Sequence, residues 1–376
     1  MSPASSDDAL AVALNALPAM GPARLTRLVA RWSLPEVWEA IKAQRAAPVA
    51  LEGERVAGAA ELSQRWAAAA GALEPERLLA RHLALGHRVL RPGQPGYPGA
   101  LLADPEPPIV LFCLGDPSRA RGPAVALVGA RRATRHGLDV ARQWGQELAA
   151  AGVCVVSGLA LGIDAAAHQG ALAADAAPPA AVVGTGLDTV YPRRNQRLWA
   201  EVAERGAVLS EAPLSAPAAR WRFPARNRLI AALADVTVVV ESRARGGSLH
   251  TAKAAEALGR PVLAAPGPVQ APQAEGSNRL LRDGAHPVLA VEDIFTAAGL
   301  AHPERPALRR PPPPRLGPLE RAVLDAIGWA PASLDEVASR VDAPLGELAL
   351  TVETLVAAQR VVRSGPWLEQ RAARSA

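Results

Sequence analysis

Four short segments in the middle of the chain carry the residues best suited to chemistry. They are Gly129-Ala130-Arg131-Arg132, 157–164 (SGLALGID), 223–228 (FPARNR) and 246–251 (GGSLHT). Each follows, or lies close to, a short apolar run that is typical of a buried parallel strand. In an open α/β sheet the loops beyond the carboxyl ends of the strands line a shared crevice, where ligands bind. Glycine lets backbone N–H groups approach closely and arginine offers a planar fork to phosphate oxygens, so this crevice is suited to a polyanion.

Arginines cluster in two of these regions, and in one of them they alternate with aromatic residues. Arg131 and Arg132 stand where a helix begins, and the helix dipole favours anions there. A second group of arginines, interleaved with Trp221 and Phe223, comprises Arg220, Arg222, Arg226 and Arg228. Single-stranded nucleic acids are bound by such a combination, because the cations follow the phosphate backbone while the rings stack on bases. The alternative is that the two rings belong to the core and the arginines are simply solvated.

The glycine pair supplies a further anion-binding element. Gly246, Gly247 and Ser248 can form a nest of N–H groups for one phosphate. Asp164 opens a helix, where a carboxylate caps free N–H groups, and is expected to be structural. Glu241 is the one carboxylate that could act in catalysis, but it has no paired acid or base. His168 and His250 are expected to pack within helices.

Several common chemistries are excluded by the motifs. The turn after residues 125–128 is not the Gly-x-Gly-x-x-Gly of a dinucleotide site, and neither Lys42 nor Lys253 follows a glycine as a P-loop requires. Neither a Gly-x-Ser-x-Gly nucleophile elbow nor a His-Glu-x-x-His zinc helix is present. The sequence therefore predicts a binding protein without a cofactor, a metal or catalytic residues.

The composition limits the classes of protein to which the chain can belong. The chain has 376 residues, of which 49% are hydrophobic and 20% charged, so two or three folded domains are expected. Its net charge is +5, and a pI near 9.9 fits a nucleic-acid partner. Cys113 and Cys154 stand in apolar runs and are expected to be buried free thiols. Neither a signal peptide nor a membrane span is predicted, so a cytoplasmic location is expected.

The order of apolar runs predicts four parts: residues 1–85, 86–302, 303–318 and 319–376. The first is helical, the second repeats βα units and predicts a mostly parallel sheet with helices on both faces, and the third is a proline-rich linker. The fourth is typical of a winged helix whose third helix carries Glu347 and Glu353, so we expect it to contact protein rather than duplex DNA. Residues 17–24 resemble a helix-hairpin-helix turn, although an ordinary corner between two helices fits as well.

Between Val125 and Asp293 the motifs resemble those of the DNA-processing protein A family (DprA, also called Smf). The segments that carry the resemblance, in the family's order, are VALVGARR, VVSGLALGIDAAAHQGAL, GTGLDTVYPRRN, LSEAP, FPARNRLIAAL, VVVES, GGSLHTA, APGPVQAPQAEGSNRLLRDGA and VEDI. Ala130 stands where the family commonly has serine, Leu161 where it often has a basic residue, and His250 where it has an aliphatic one.

The resemblance implies an extended Rossmann-like fold, plus the helical and winged-helix domains, that binds single-stranded DNA without catalysis. It implies protection of incoming DNA during natural transformation, loading of the RecA recombinase, and a homodimer through the Rossmann-like domain. The DNA-binding residues it implies, with the neighbouring basic residue of the first turn, are Arg131, Arg132, Arg220, Phe223, Arg226, Asn227, Arg228, Gly247, Ser248 and Thr251. Two other classes stay open: a Rossmann-like nucleotide N-glycosidase or phosphohydrolase, and a pure interaction scaffold.

Overall fold

The structure of the chain, a computed structural model, describes residues 6–54, 58–120, 122–301, 316–328 and 330–371. The proline-rich linker predicted for residues 303–318 lies, up to residue 315, outside the described residues. In the described ranges no helix is both long enough and apolar enough to cross a membrane.

In the described residues of the N-terminal part there are six helices. They are α1 (Ser6–Asn15), α2 (Pro22–Val29), α3 (Leu34–Lys42), α4 (Ala46–Ala50), α5 (Ala59–Ala72) and α6 (Pro75–Ala84). Prolines open α2, α3 and α6, where the missing N–H has no acceptor within the helix. The apolar faces meet around Leu28, Ile41 and Trp66, which are fully buried, and the Trp66 indole N–H donates to the Pro18 carbonyl at 2.8 Å.

The two arginines beside the predicted hairpin at residues 17–24 are already paired. Arg24 and Arg27 each form an ion pair with Glu54 at 2.7 Å. The hydrogen bond from Arg24, with a smaller contribution from Arg27, lowers the pKa of Glu54 to about 2. Guanidinium groups that are held by a carboxylate are poorly placed to meet a phosphate, so the geometry favours the ordinary corner between two helices.

Within the ranges that the structure describes, nine strands form the central sheet. They are β1 (Arg88–Leu90), β2 (Leu111–Gly115), β3 (Ala124–Val128), β4 (Cys154–Ser157), β5 (Ala180–Val183), β6 (Ala207–Ser210), β7 (Val236–Val239), β8 (Val262–Ala264) and β9 (His286–Pro287). Their order across the sheet is β1-β2-β6-β5-β4-β3-β7-β8-β9. In this order all strands from β6 through β9 pair in parallel, whereas β1 and β2 form an antiparallel edge beside β6. From β3 the chain builds towards β6 on one side and then returns to β7 on the other. The switch point lies between β3 and β7.

Among the described elements, seven helices cover the two faces of this sheet. They are α7 (Arg135–Ala150), α8 (Ile163–Ala174), α9 (Gln196–Arg205), α10 (Arg222–Leu233), α11 (Ser248–Ala257), α12 (Glu275–Arg282) and α13 (Val291–Ala297). Alternate residues of β3 enter opposite cores. Leu127 packs with Leu148 of α7, whereas Ala126 packs with Ile230 of α10. Both faces are therefore buried, which explains the continuous apolar runs of the strands.

Helices α7 and α8 pack with their backbones close together. A Cβ atom at Gly145 would lie 2.3 Å from the Ala167 carbonyl oxygen, and one at Gly170 would lie 1.9 Å from that of Arg142. Glycine is therefore required at both positions. This contact fixes α8, and with it the 157–164 loop that precedes the helix.

The N-terminal helices and the sheet share one core. Buried residues of α1 to α6 pack in the same cluster as Phe112 of β2 and Trp199 of α9. Arg91 donates from Nε to Asp8 Oδ1 at 2.6 Å, and Asn15 Nδ2 donates to the Glu211 carbonyl at 2.7 Å.

The C-terminal part is a separate small module with its own core. Its elements are α14 (Pro318–Ile327), β10 (Ala332–Ser333), α15 (Leu334–Arg340), α16 (Leu345–Ala357), β11 (Val361–Ser364) and β12 (Trp367–Gln370). A capping box begins α15, because Ser333 Oγ accepts from the Glu336 N–H at 3.2 Å and Glu336 Oε2 accepts from the Ser333 N–H at 2.7 Å. The predicted winged helix and the predicted mostly parallel sheet are confirmed.

One segment differs from its predicted conformation. Residues 223–228 were counted among the loops expected to line the crevice, but α10 already begins at Arg222. Pro224 occupies the first turn, where a residue without an N–H costs no intrahelical hydrogen bond. The motif therefore lies on the first two turns of a helix, so its side chains project on different sides.

Candidate nucleic-acid interface

A cavity of about 650 Å³ opens at the carboxyl ends of β3 and β7, beside the switch point of the sheet. Its wall is made by the Gly129–Arg132 turn after β3, the first turns of α10 and the Gly246–Gly247 turn before α11. We call this space the arginine cavity. Three of the four segments singled out in the sequence form its wall, and the 157–164 loop contributes Ala160 and Asp164.

The arginine cavity is strongly cationic. The arginines that line it are Arg131, Arg132, Arg220, Arg226, Arg243 and Arg245, whereas Asp164 is the one carboxylate among the described residues that line it. All of these arginines except Arg226 are exposed. Within the described part of the chain, none of the five exposed guanidinium groups has a carboxylate within 4.0 Å. Their charge is therefore available to an anion entering from solvent.

Two aromatic rings stand among these cations. The Arg131 guanidinium carbon lies 5.0 Å from the centroid of the Phe223 ring, and the Phe223 and Tyr191 rings lie 5.5 Å apart with a tilt of 35°. All three side chains line the cavity, and Tyr191 is 41% exposed. The predicted alternative that Phe223 belongs to the core is wrong, because the ring is only half-buried and forms part of the cavity wall.

Arg226 forms the floor of the cavity. Its side chain is buried, and it donates from Nη1 to the Gly158 carbonyl at 2.9 Å and to the Val182 carbonyl. A Cβ atom at residue 158 would lie 2.3 Å from Nη1, so only glycine allows this arrangement. Burial lowers the pKa of Arg226 to about 10, which still leaves the group charged near neutral pH.

Asp164 faces Arg226 across the floor. It accepts a hydrogen bond from the Gly158 N–H at 3.2 Å. Burial raises the pKa of Asp164, and the nearby Arg226 charge opposes this rise. Asp164 was expected to be structural at a helix start, and in the structure it ties the 157–164 loop to the beginning of α8.

Arg228 does not belong to the cavity, and its predicted place there is wrong. Its guanidinium group is held on another side of α10 by Asp104 at 2.8 Å and by both carboxylate oxygens of Glu211, at 2.5 and 2.6 Å. Arg226 and Arg228 are two positions apart on a helix, which rotates their side chains by about 200° relative to each other. Arg228 therefore links α10 to the β2 side of the domain.

The Gly246–Gly247 turn presents two free backbone donors. Within the described residues, the N–H groups of Gly247 and Ser248 have no hydrogen-bond acceptor. Asn227 Nδ2 donates to the Gly247 carbonyl at 3.0 Å and fixes the turn, while Ser248 Oγ bonds to Ser242 Oγ at 2.9 Å. Thr251 lines the cavity but is almost fully buried. The free N–H groups at the start of α11 are suited to one phosphate.

The sequence did not assign to the site four other residues that line the cavity: Tyr191, Arg243, Arg245 and His250. Arg243 and Arg245 stand directly before the glycine pair, so their spacing could have indicated them. His250 was expected to pack within its helix, but it is exposed to the cavity. Ser248 and Thr251 lie on the buried side of α11, whereas His250 lies on a different, exposed side of the helix.

Glu241 has a structural role that the sequence left open. Its carboxylate accepts hydrogen bonds from the Thr134 N–H at 2.9 Å and from the Thr134 hydroxyl. It therefore joins the end of β7 to the start of α7, and it is not among the residues that line the cavity. The predicted packing role of His168 is consistent with its complete burial. In the described residues, no group of three or more histidine, cysteine or acidic side chains could hold a metal ion.

Comparison with known proteins shows to which family the chain belongs. A sequence profile for DNA recombination-mediator protein A matches residues 88–299, more than half of the chain. The chain belongs to the DNA recombination-mediator protein A family. A profile for the DprA winged helix domain matches residues 306–355. The resemblance seen in the motifs is thereby confirmed, and the family is one of DNA processing and recombination.

Relatives cover both the sheet and its flanking parts. Protein Smf of Synechocystis is 35% identical over 300 residues, which are 79% of this chain and 74% of that protein. DNA processing protein DprA of Bacillus subtilis is 35% identical over 220 residues, or 58% of this chain and 74% of the relative. A putative DprA of Mycobacterium tuberculosis is 41% identical over 239 residues, covering 61% of this chain and 60% of its own length.

Two solved structures show the same fold. The X-ray structure of DprA from Streptococcus pneumoniae has a TM-score of 0.64 at 26% identity and covers 78% of this chain and 98% of its own. DprA from Helicobacter pylori, described for its single-stranded DNA binding mode, has a TM-score of 0.51 at 29% identity. It covers 56% of this family member and 94% of its own chain.

Proposed function

We propose that this family member binds single-stranded DNA in the arginine cavity and catalyses no reaction on it. The observation that carries the proposal is the set of five exposed guanidinium groups that have no carboxylate partner among the described residues and that line one cavity with the Phe223 and Tyr191 rings. Phosphates would meet the arginines and the free N–H groups of Gly247 and Ser248. Bases would stack on the rings, which requires that they are unpaired. The single-stranded DNA binding of the Helicobacter pylori relative supports the same assignment.

Fluorescence anisotropy with labelled oligonucleotides tests this proposal. The protein should bind a single strand more tightly than a duplex of the same length. Arg131→Ala should weaken single-strand binding, whereas Arg77→Ala, an exposed arginine of α6 with the same charge change, should not. Equal affinity for single strand and duplex, or equal binding by the two variants, would refute the cavity as the site.

We further propose that the bound strand is protected and passed to the RecA recombinase, in the cytoplasm, during natural transformation and recombination. Membership of a recombination-mediator family supports this step, as does an open cavity from which a strand can be released. The test is the rate of RecA filament formation on DNA coated with a single-strand-binding protein. The protein should accelerate filament formation, and Arg131→Ala should lose the acceleration. A scaffold that contacts RecA alone would keep RecA binding after loss of the cavity arginines.

We also propose that the protein acts as a homodimer through its Rossmann-like domain. The family resemblance supports this assembly. Sedimentation equilibrium of the whole chain, and of a chain ending at residue 301, shows which part of the protein carries the dimer interface. Both should be dimeric if the Rossmann-like domain carries the interface. A dimeric whole chain with a monomeric shorter chain would assign the interface to the C-terminal module.

The alternative to a DNA-binding protein is an enzyme that cleaves nucleotides. Such an enzyme would need an acid or base facing its substrate, but both candidate carboxylates are held by hydrogen bonds, Asp164 by Gly158 and Glu241 by Thr134. Incubation of the protein with AMP or short oligonucleotides should release no base and no phosphate. Release that disappears in Asp164→Asn would establish an enzyme instead.

A further inference from the structure

Trp221 occupies an unusual position beside the arginine cavity. Its chain neighbours Arg220, Phe223 and Pro224 line the cavity, but Trp221 does not. The side chain is 61% exposed, although an indole in water forgoes a large hydrophobic gain. The predicted alternative that this ring belongs to the core is therefore wrong. The ring therefore stands next to residues of the cavity wall but outside the cavity itself.

One face of this ring is already covered. The Arg222 guanidinium carbon lies 4.5 Å from the centroid of the indole. Arg222 is itself half-buried, and burial lowers its pKa. A guanidinium group over an aromatic face is attracted by the ring quadrupole, so Arg222 restrains the orientation of the indole. The exposed area of Trp221 must then belong to its edges and its opposite face.

The backbone around Trp221 is also well fixed. Trp221 is the residue before α10, the Arg222 N–H donates to the Ala219 carbonyl at 3.0 Å, and the Ala225 N–H donates to the Trp221 carbonyl at 3.4 Å. An aromatic ring that is already held in place loses little conformational entropy when a ligand stacks on it.

The charges around the ring indicate which ligand fits. Arg220 and Arg222 flank it in the chain, and the first turn of α10 adds the positive end of a helix dipole. The nearest residues along the chain on the other side, Ala218 and Ala219, offer little apolar surface with which to extend a protein-docking patch. A lone ring among cations is the arrangement that binds a nucleobase together with its phosphate.

We propose that Trp221 is a base-stacking platform outside the arginine cavity, which takes one unpaired nucleobase of the strand where it leaves the cavity. This inference rests on the proposed function, because the strand must first occupy the cavity. It adds a contact beyond the cavity, and so it lengthens the stretch of single strand that the protein holds.

An abasic scan in a double-mutant cycle tests the platform. Oligothymidylates that each carry one abasic nucleotide, at successive positions, are titrated against the natural protein, Trp221→Ala and Trp221→Phe. On intact oligonucleotides Trp221→Ala should weaken binding by about 5- to 150-fold, the range expected when one base–aromatic stack is removed, while Trp221→Phe retains most of the affinity. At one abasic position, and not at the others, the natural protein and Trp221→Ala should bind equally.

The outcomes separate the platform from the proposed function. A penalty for Trp221→Ala that is the same at every abasic position, or no penalty on any oligonucleotide, overturns the platform while leaving the cavity intact. If Arg131→Ala binds single-stranded DNA as tightly as the natural protein, the proposed binding in the cavity is itself refuted, whatever the result for Trp221. A thermal melt of Trp221→Ala that matches the natural protein excludes misfolding as the cause of weaker binding.

Discussion

Arg131 and Phe223 come from segments almost a hundred residues apart, and the fold places the guanidinium carbon 5.0 Å from the centre of the ring. The contact joins the turn after β3 to the first turn of α10. It puts a cation and a stacking surface side by side at the wall of one cavity. A single strand needs both at this spacing, since its phosphates and its bases project from the same backbone.

Phe223 should contribute through its ring rather than through its apolar volume. Phe223→Leu removes the stacking surface but keeps most of the apolar volume, so it should weaken single-strand binding by about 1–3 kcal/mol. Phe223→Tyr keeps the ring and should bind nearly as tightly as the natural protein. Anisotropy titrations with oligothymidylate compare the two variants. Equal losses in both would show that the ring is not a stacking surface.

Arg228 should stabilise the fold without contacting DNA. Arg228→Ala leaves Asp104 and Glu211 partly buried without their partner, which should cost about 3–5 kcal/mol of unfolding free energy. Urea denaturation measures this loss. The salt dependence of single-strand binding, taken where the variant is still folded, should match that of the natural protein. A flatter salt dependence in Arg228→Ala would show that Arg228 does contact the DNA.

Glu241 should act as a partner of Thr134 and not as a catalytic acid. Removing its carboxylate by Glu241→Ala leaves two donors unsatisfied and should cost about 2 kcal/mol of stability. Thr134→Ala removes one of these hydrogen bonds, so the two substitutions together should be non-additive, with a coupling of about 1 kcal/mol. Urea titrations of the single and double variants give this coupling. Additive losses would contradict a direct interaction.

His168 should make stability depend on pH. Burial lowers its pKa to about 3 in the folded state, below the value of about 6.5 expected for the unfolded chain. As the pH falls below about 6.5, the unfolded chain takes up a proton that the folded protein refuses, so stability decreases by up to about 1.4 kcal/mol per pH unit. His168→Leu should remove this part of the pH dependence between about pH 4 and 6.5, as followed by urea denaturation. An unchanged slope in that variant would contradict the assignment.

The sequence predicted the elements better than it predicted the directions of side chains. β-Branched runs and glycine-containing turns indicated the parallel strands and the turns that meet at one edge, and so Arg131, Arg220 and Phe223 were correctly placed at the cavity. The short strands β1 and β9 were missed, because two or three residues carry too little pattern.

Residues within helices were misplaced because their angular positions depend on where each helix begins. Once α10 begins at Arg222, Arg226 points to the floor of the cavity and Arg228 away from it. The same geometry leaves His250 exposed at the cavity, whereas Ser248 and Thr251, which also line the cavity, are buried. Contacts such as that of Tyr191 with Phe223 depend on the order of strands, which no local pattern records.

The salt dependence of single-strand binding by Arg131→Ala/Arg220→Ala tests the central claim most directly. Because this double variant removes two guanidinium groups that would each meet a phosphate, the slope of log affinity against log salt concentration should fall in magnitude by about 1.4, and the affinity should fall as well. The double variant Arg65→Ala/Arg77→Ala, which removes two exposed arginines of the N-terminal helices, should keep both the slope and the affinity. An unchanged slope and affinity in Arg131→Ala/Arg220→Ala would contradict binding in the arginine cavity.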